Sequence, residues 1–402
     1  MTKLLQINTS VNCSAHGRIA ERIGAAAISE GWDAYIVHGA RYKNPSCMTT
    51  IQNTTQLQER LHGFKSMLFD GQGLGNAMPT KKLVRKIEKI NPDIIHLHNI
   101  HGYYMNYQVL FDFLAHCEKP VVWTLHDYWP ITGHCPNFAM ADCEKWKKHC
   151  HSCPLLDEYP KALIDKSKHN FDLKKKYFTS VKNMHIVTVS DWQKSIIDQS
   201  FLSKYPVRVI NNGVNTDVFR PSETSELRKK LNLEGKFVLL GVASQWRKLK
   251  GLFDFIELSK LLPDDCRIVM VGMTEKQIAG LPEKIVGIGH VSSQHELAMY
   301  YSMADVVLNL SFDETFGLTT IEGMACGTPG IVYNVTASSE LISESTGYVV
   351  EKSNFTQLLD AISKIKNNGK QFYSENCVNR VKTLYDDNNR IGDYIRLYKE
   401  IL

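Results

Sequence analysis

The sequence predicts an α/β protein with parallel sheets arranged in two domains. Three observations carry that prediction. The chain opens β-α-β: a buried strand over residues 3–8, an amphipathic helix over 18–30 closed by Gly31, and a second strand over 33–37. The same alternation restarts in the second half, with a strand over 237–243 and a helix over 252–262. Between residues 304 and 329 the order is apolar run, Gly-containing turn, short helix, and a Cys-Gly-Thr-Pro stop. A length of 402 residues suits two domains. The boundary is expected near residues 200–206. That gives domains over 1–203, carrying a Cys-rich insertion at 133–154, and over 204–380. A polar helix over 381–402 is expected to pack back across them.

Composition narrows the class. Hydrophobic content of 43% and charged content of 22% are those of a soluble globular chain. No long apolar run and no leader-like segment are present, so a cytoplasmic protein is expected. A formal charge of +5 is too small to argue for nucleic acid, and it suits a polyanionic substrate or an anionic membrane surface. The ten cysteines are mostly scattered, unlike a secreted disulfide scaffold.

The stretch 313–322 (DETFGLTTIE) concentrates the chemistry. Glu314 and Glu322 stand eight positions apart, and Phe316-Gly317 lie in the turn that aims a helix N-terminus outward. The free N–H groups of Gly317, Leu318 and Thr319 suit a diphosphate. The two carboxylates repel phosphate and suit sugar or ribose hydroxyls. Two glutamates on an ordinary surface helix are the alternative. Arg247 and Lys250, after a strand and before a helix, are placed as phosphate clamps or as solvated surface charge. The strands over 267–272 and 285–290 end at Gly272 and His290-Val291, where backbone can approach a base closely.

In the first half, Gly17 closes a small-residue loop at a strand's carboxyl end, where open α/β sheets bind ligands. The segment 92–98 sets His96 and His98 on one face, with His101 beyond; they read as packed or ligand-facing histidines, or as a metal set. The strand over 121–125 ends in His126-Asp127, and His126 is placed to orient a sugar hydroxyl or to be a satisfied core histidine. Cys135, Cys143, Cys150 and Cys153 fall within 19 positions and include a C-x-x-C pair. They read as a structural zinc set closing a core-poor loop, with free thiols and disulfides as alternatives. The basic helix over 80–90 is either a solvated face or an anionic-lipid contact. The Gly-rich segment 69–75 reads as a loop.

Together, the Glu314-x7-Glu322 element, Asn212-Gly213-Val214 with Phe219-Arg220-Pro221, and Arg247 and Lys250-Gly251 after a strand resemble family 4 retaining glycosyltransferases. The segments PDIIHLHNIHGYY and WTLHDYWPITGHC resemble the colanic-acid-type branch of that family. The resemblance implies the GT-B architecture, two Rossmann-like doubly wound parallel-sheet domains with a cleft between them. It implies that Glu314 contacts the donor sugar and Glu322 the ribose, and that Arg247 and Lys250 neutralise the leaving phosphate. His126 would approach the transferred sugar, and Gly17 the phosphates. It further implies a nucleotide-sugar donor (UDP before GDP), a lipid-linked saccharide acceptor, retention of configuration, no cofactor for catalysis, and peripheral contact with an anionic membrane. Any zinc would be structural. Two departures stand out: Gly241-Val242 where the family commonly has Gly-Arg, and Ala15-His16-Gly17 where it has Gly-Gly. A nucleotide-sugar epimerase or hydrolase and a zinc-stabilised scaffold are the competing readings.

Overall fold

The structure, a computed structural model, describes residues 1–402. The chain divides into two compact units, residues Met1–Ile210 with Ile391–Leu402, and residues Asn211–Arg390.

The first unit runs β1 (Lys3–Ile7), α1 (Ser14–Ser29), β2 (Asp33–His38), β3 (Thr49–Gln52), α2 (Gln56–Phe69), α3 (Ala77–Ile90), β4 (Ile94–Leu97), α4 (Tyr107–His116), β5 (Val121–Leu125), α5 (Ser167–Phe178), β6 (Met184–Thr188), α6 (Asp191–Ile197) and β7 (Val207–Val209). Its seven strands are parallel, in the order β3-β2-β1-β4-β5-β6-β7. Strand sequences such as LLQI, IIHL and VVWTL carry little alternation because both sheet faces are covered. On one face Leu4, Ile94 and Val122 meet Ile19 and Ile23 of α1 and residues of the closing helix such as Tyr394 and Tyr398. On the other, Leu5, Ile95 and Trp123 pack with apolar side chains of α3, α4 and α5.

The second unit runs α7 (Ser225–Lys230), β8 (Phe237–Val242), α8 (Leu252–Leu261), β9 (Cys266–Val271), α9 (Glu275–Ile278), β10 (Ile285–Ile288), α10 (Gln294–Met303), β11 (Val306–Asn309), α11 (Leu318–Ala325), β12 (Gly330–Tyr333), β13 (Gly347–Val350), α12 (Phe355–Asn368) and α13 (Lys370–Leu384); α14 (Asp387–Ile401) begins in it and ends in the first unit. Its six parallel strands are ordered β10-β9-β8-β11-β12-β13. Each sheet reverses its strand order once, between β1 and β4 and between β8 and β11. Ligands of doubly wound sheets bind beyond the strand ends at such switch points.

Several local expectations change. α1 begins at Ser14, so Gly17 lies in its first turn rather than in a loop. The single polar helix expected over 381–402 falls in two helices, interrupted where Val214 forms a bridge with Asp386 and Val214 N–H donates to the Tyr385 carbonyl. Residues Thr336–Leu341 form a 3-10 turn. β3, α2 and α4 were not anticipated from the sequence pattern.

Candidate active site

In the second unit the loops following β8 and β11 leave adjacent strands at the switch point. The first carries Lys250 and the second carries Glu314, and their side chains form an ion pair with Nζ 2.5 Å from Oε1. Gly251 allows this approach. Its φ is +73°, and a Cβ there would lie 2.3 Å from the Leu310 carbonyl oxygen. The loops are tied again by a bond from Phe312 N–H to the Leu249 carbonyl, 2.8 Å. The backbone of Glu314 is held from the far side, its N–H donating to Thr336 Oγ1 at 2.9 Å and its carbonyl accepting from Ala337 N–H. The turn then passes through Gly317, φ +105°, and α11 starts at Leu318. Leu318 and Thr319 are half-buried, so their N–H groups open the helix beside the Lys250–Glu314 pair. One turn further on, Glu322 accepts a 2.7 Å hydrogen bond from the buried Tyr301 hydroxyl. Burial holds that phenol well above its usual range, and the adjacent Glu322 carboxylate pushes it the same way, so it remains a donor. Tyr301 stands 21 positions from Glu322, and no local pattern announces it.

Other residues singled out from the sequence have different roles. Phe316 is buried and packs edge-on against Tyr385, so it anchors the turn from within. Gly272, φ +93°, is required by the protein itself, since a Cβ would lie 1.8 Å from the Ala243 carbonyl oxygen. His290 is exposed and Val291 half-buried on the edge beyond β10. Arg247 is exposed, caps the turn containing Lys250, and bonds Gln245 in the same loop.

In the first unit His126 follows β5 and meets His98, which follows β4, with Nε2 3.1 Å from His98 Nδ1. His98 Nε2 lies 2.9 Å from the Oε1 of Gln6 in β1. Gln6 spends its amide N–H groups on the Ala20 carbonyl and Met48 Sδ, so Oε1 is the acceptor and His98 Nε2 the donor. Burial holds both imidazoles well below their usual pKa, hence neutral. His98 Nδ1 must then accept from His126 Nε2–H, so neutral His126 carries its proton on Nε2. The same pocket is lined by Asp127, His101 and Trp129. Burial would raise the Asp127 carboxyl, but His101 Nε2 at 2.7 Å and the Trp129 N–H hold it below the usual range. Gly17 is buried in α1 against Ser10, whose Oγ would lie 2.6 Å from an added Cβ, so it packs the helix onto the β1 loop.

Cys135, Cys143, Cys150 and Cys153 line one pocket beside Trp146, and all are free thiols. Cys135 and Cys153 hydrogen-bond each other, which raises the Cys135 thiol and lowers that of Cys153 to about 7. No three or more His, Cys, Asp or Glu side chains are grouped to hold a metal ion anywhere in the chain. The structural zinc expected from these cysteines is therefore not supported. The free-thiol alternative describes them here.

Two family descriptions account for this arrangement: "Glycosyltransferase Family 4" matches residues 17–218 and "Glycosyl transferases group 1" matches residues 223–382. The chain belongs to glycosyltransferase family 4 and is a glycosyltransferase with the GT-B fold. Among curated proteins it is similar to the putative colanic acid biosynthesis glycosyl transferase WcaC of Escherichia coli K12, 25% identical over 376 residues and covering 89% of each chain. It is also similar to the O-antigen chain mannosyltransferase RfbU of Salmonella typhimurium, 29% identical over 62% of this chain and 74% of the relative. Solved structures of the same fold include sucrose-phosphate synthase from Thermosynechococcus elongatus, with a TM-score of 0.73, 17% identity, and coverage of 100% and 99% of the two chains. HepE of Anabaena in complex with UDP-glucose aligns with a TM-score of 0.69, 14% identity and complete coverage of both chains.

Proposed function

We propose that this glycosyltransferase transfers a hexose from a nucleotide-sugar, UDP-linked in preference to GDP-linked, to a lipid-linked saccharide during surface polysaccharide synthesis, with retention of configuration. The Lys250–Glu314 pair at the β8/β11 switch point, beside the α11 N-terminus, is the observation that carries this reading. Lys250 and the N–H groups of Gly317, Leu318 and Thr319 bind the diphosphate, with Arg247 as a second cation. Glu314 accepts hydrogen bonds from the sugar and Glu322 from the ribose, while the edge near Gly272, His290 and Val291 borders the base. His126 meets a hydroxyl of the transferred sugar. The acceptor oxygen bonds to the anomeric carbon as the bond to the diphosphate breaks, and the acceptor's proton passes to the departing diphosphate. That chemistry needs charge neutralisation more than a protein base, which fits the cation beside a helix N-terminus.

Similarity to WcaC and RfbU, whose names concern colanic acid and O-antigen, supports a polysaccharide acceptor. The HepE complex with UDP-glucose supports the uridine donor. The domain roles follow: residues 204–380 take the donor and residues 1–203 the acceptor. No helix is long and apolar enough to cross a membrane, so a lipid-linked acceptor is met from the bilayer surface. Calorimetric titration with UDP and GDP, wild type beside Glu322→Ala, tests the reading. One nucleotide should bind and weaken about tenfold or more in the variant; equal affinity in both proteins overturns the ribose assignment.

A further inference from the structure

Only Tyr42 and Tyr159 among the chain's tyrosines are exposed, at 60% and 41%, and both lie in the first unit. Tyr159 meets the half-buried Tyr103 edge to face, with ring centroids 6.5 Å apart. Both phenols converge on Gln72, which stands in the Gly-rich segment 69–75. Its amide N–H donates to the Tyr159 hydroxyl at 2.8 Å, and the Tyr103 hydroxyl is within its hydrogen-bonding reach. Burial of the hydroxyl end pushes the Tyr159 phenol above its usual range, and Tyr103, Asp127 and Tyr42 push it the same way, so all three stand around it. Asp127 lines the pocket that also holds His126 and Trp129, so the tyrosines stand beside that pocket.

The Tyr103 backbone is held in place against its preference. Its φ is +74°, in the left-handed region that a bulky side chain seldom adopts. Its carbonyl is clamped by Asn76 Nδ2 at 2.7 Å and His62 Nδ1 at 2.9 Å. Strain of this kind persists where the surroundings over-determine it, and it concentrates at ligand sites. Two buried polar atoms border the cluster without a partner in the protein. Gln72, 5% exposed, leaves Oε1 unpaired, and His101, 7% exposed, leaves Nδ1 unpaired. Asp127 is ionised, so His101 Nε2–H donates to it at 2.7 Å, and the ring packs on Trp129 with centroids 5.1 Å apart. These contacts fix which ring nitrogen is left over. A sugar hydroxyl both donates and accepts, so it satisfies either atom. Arg41, which acts on the Tyr103 phenol, is already paired with Glu59 at 3.2 Å, and Asp127 adds negative charge. The cluster therefore suits a neutral ring better than a phosphate. Aromatic faces with a few convergent polar groups are the composition of such a site.

We propose that Tyr42, Tyr103 and Tyr159 form the subsite for a pyranose ring of the acceptor saccharide, with Gln72 Oε1 and His101 Nδ1 bonding its hydroxyls. This rests on the saccharide acceptor proposed above and names the residues that read it. Asp127 is a positioning residue, holding the His101 ring so that Nδ1 is turned away from the carboxylate.

Saturation-transfer difference NMR on the full chain tests it, with the methyl α-pyranosides of glucose, galactose, mannose and N-acetylglucosamine as probes. Wild type should transfer saturation to the ring protons of at least one. Tyr42→Ala/Tyr159→Ala changes two exposed side chains. It should weaken that glycoside about tenfold or more, with thermal unfolding and UDP affinity unchanged. Tyr159→Phe keeps the ring face and should bind within about threefold of wild type. His101→Phe keeps the packing on Trp129 without the nitrogens and should weaken the glycoside about fivefold. Wild type transferring to none of the four, or the double variant transferring as well as wild type, overturns the subsite. Tyr159→Phe losing as much as the double variant overturns the stacking role, and unchanged binding by His101→Phe overturns the part given to His101. UDP titration of the same proteins keeps the two readings apart. UDP binding without glycoside binding removes the subsite and leaves the transferase reading intact. Glycoside binding without UDP binding keeps the subsite and removes the transferase reading.

Discussion

Replacing the two partners of the Lys250–Glu314 pair separates binding of the diphosphate from binding of the sugar. The pair is partly buried, with side-chain exposures of 32% and 16%, so its charges are only partly screened by solvent. A charge-assisted hydrogen bond contributes about 1.5–3 kcal/mol, or about 10- to 150-fold in affinity. Lys250→Met removes the cation and should weaken UDP and UDP-glucose alike by that factor. Glu314→Gln keeps the shape but removes the negative charge that competes with phosphate for Lys250. Its UDP affinity should therefore hold or rise, while UDP-glucose loses the hydroxyl contact and binds about tenfold more weakly or worse. Calorimetric titration of three proteins with two ligands reads every comparison. The reasoning is refuted if Glu314→Gln loses UDP and UDP-glucose equally, or if Lys250→Met changes neither.

Gly251→Ala introduces a Cβ 2.3 Å from the Leu310 carbonyl oxygen at a φ of +73°; it should cost about 2 kcal/mol or more of stability and weaken donor binding, readable by urea unfolding, and an unchanged midpoint contradicts the packing argument. Gln6→Leu removes the acceptor that fixes the tautomer of His98 and through it His126; turnover should fall about tenfold or more while UDP affinity stays unchanged, and loss of UDP binding instead would mean a general structural defect. Acid should destabilise the protein. His96, His98 and His126 are kept neutral by burial, their pKa values well below the ordinary 6.5. The folded chain then holds fewer protons than the unfolded chain below pH 6.5, so their contribution is intact above that pH and lost progressively beneath it, by about 1.4 kcal/mol for each unit of depression. Urea midpoints that stay flat on crossing pH 6.5 contradict it.

What the sequence made legible depends on how local the cause is. The short helix expected between residues 304 and 329 forms as α11, because its glycine start and Gly-x-Pro stop lie within a dozen positions. Glu314 and Lys250 were each singled out, but their pairing comes from β8 and β11 becoming neighbours across 64 positions. Tyr301 behind Glu322 and Gln6 behind His98 were missed for the same reason: each belongs to a distant strand or helix. A glycine at a strand end reads identically whether a ligand or the chain's own backbone approaches it, and the approach of the Ala243 carbonyl to Gly272 shows only in the fold. α2 escaped because its periodicity is sound but its apolar side faces outward. The cysteine spacing drew attention to a real cluster, yet spacing alone does not say whether four thiols converge as ligands or as packed neighbours.

Acceptor dependence of donor turnover is the most direct test of the central claim. Wild-type protein is incubated with UDP-glucose, with and without a lipid-linked saccharide acceptor, and released UDP is measured. The account predicts UDP release that requires the acceptor and disappears in Lys250→Met. Release at the same rate without acceptor would make the protein a hydrolase or epimerase on this scaffold and contradict the transfer reaction.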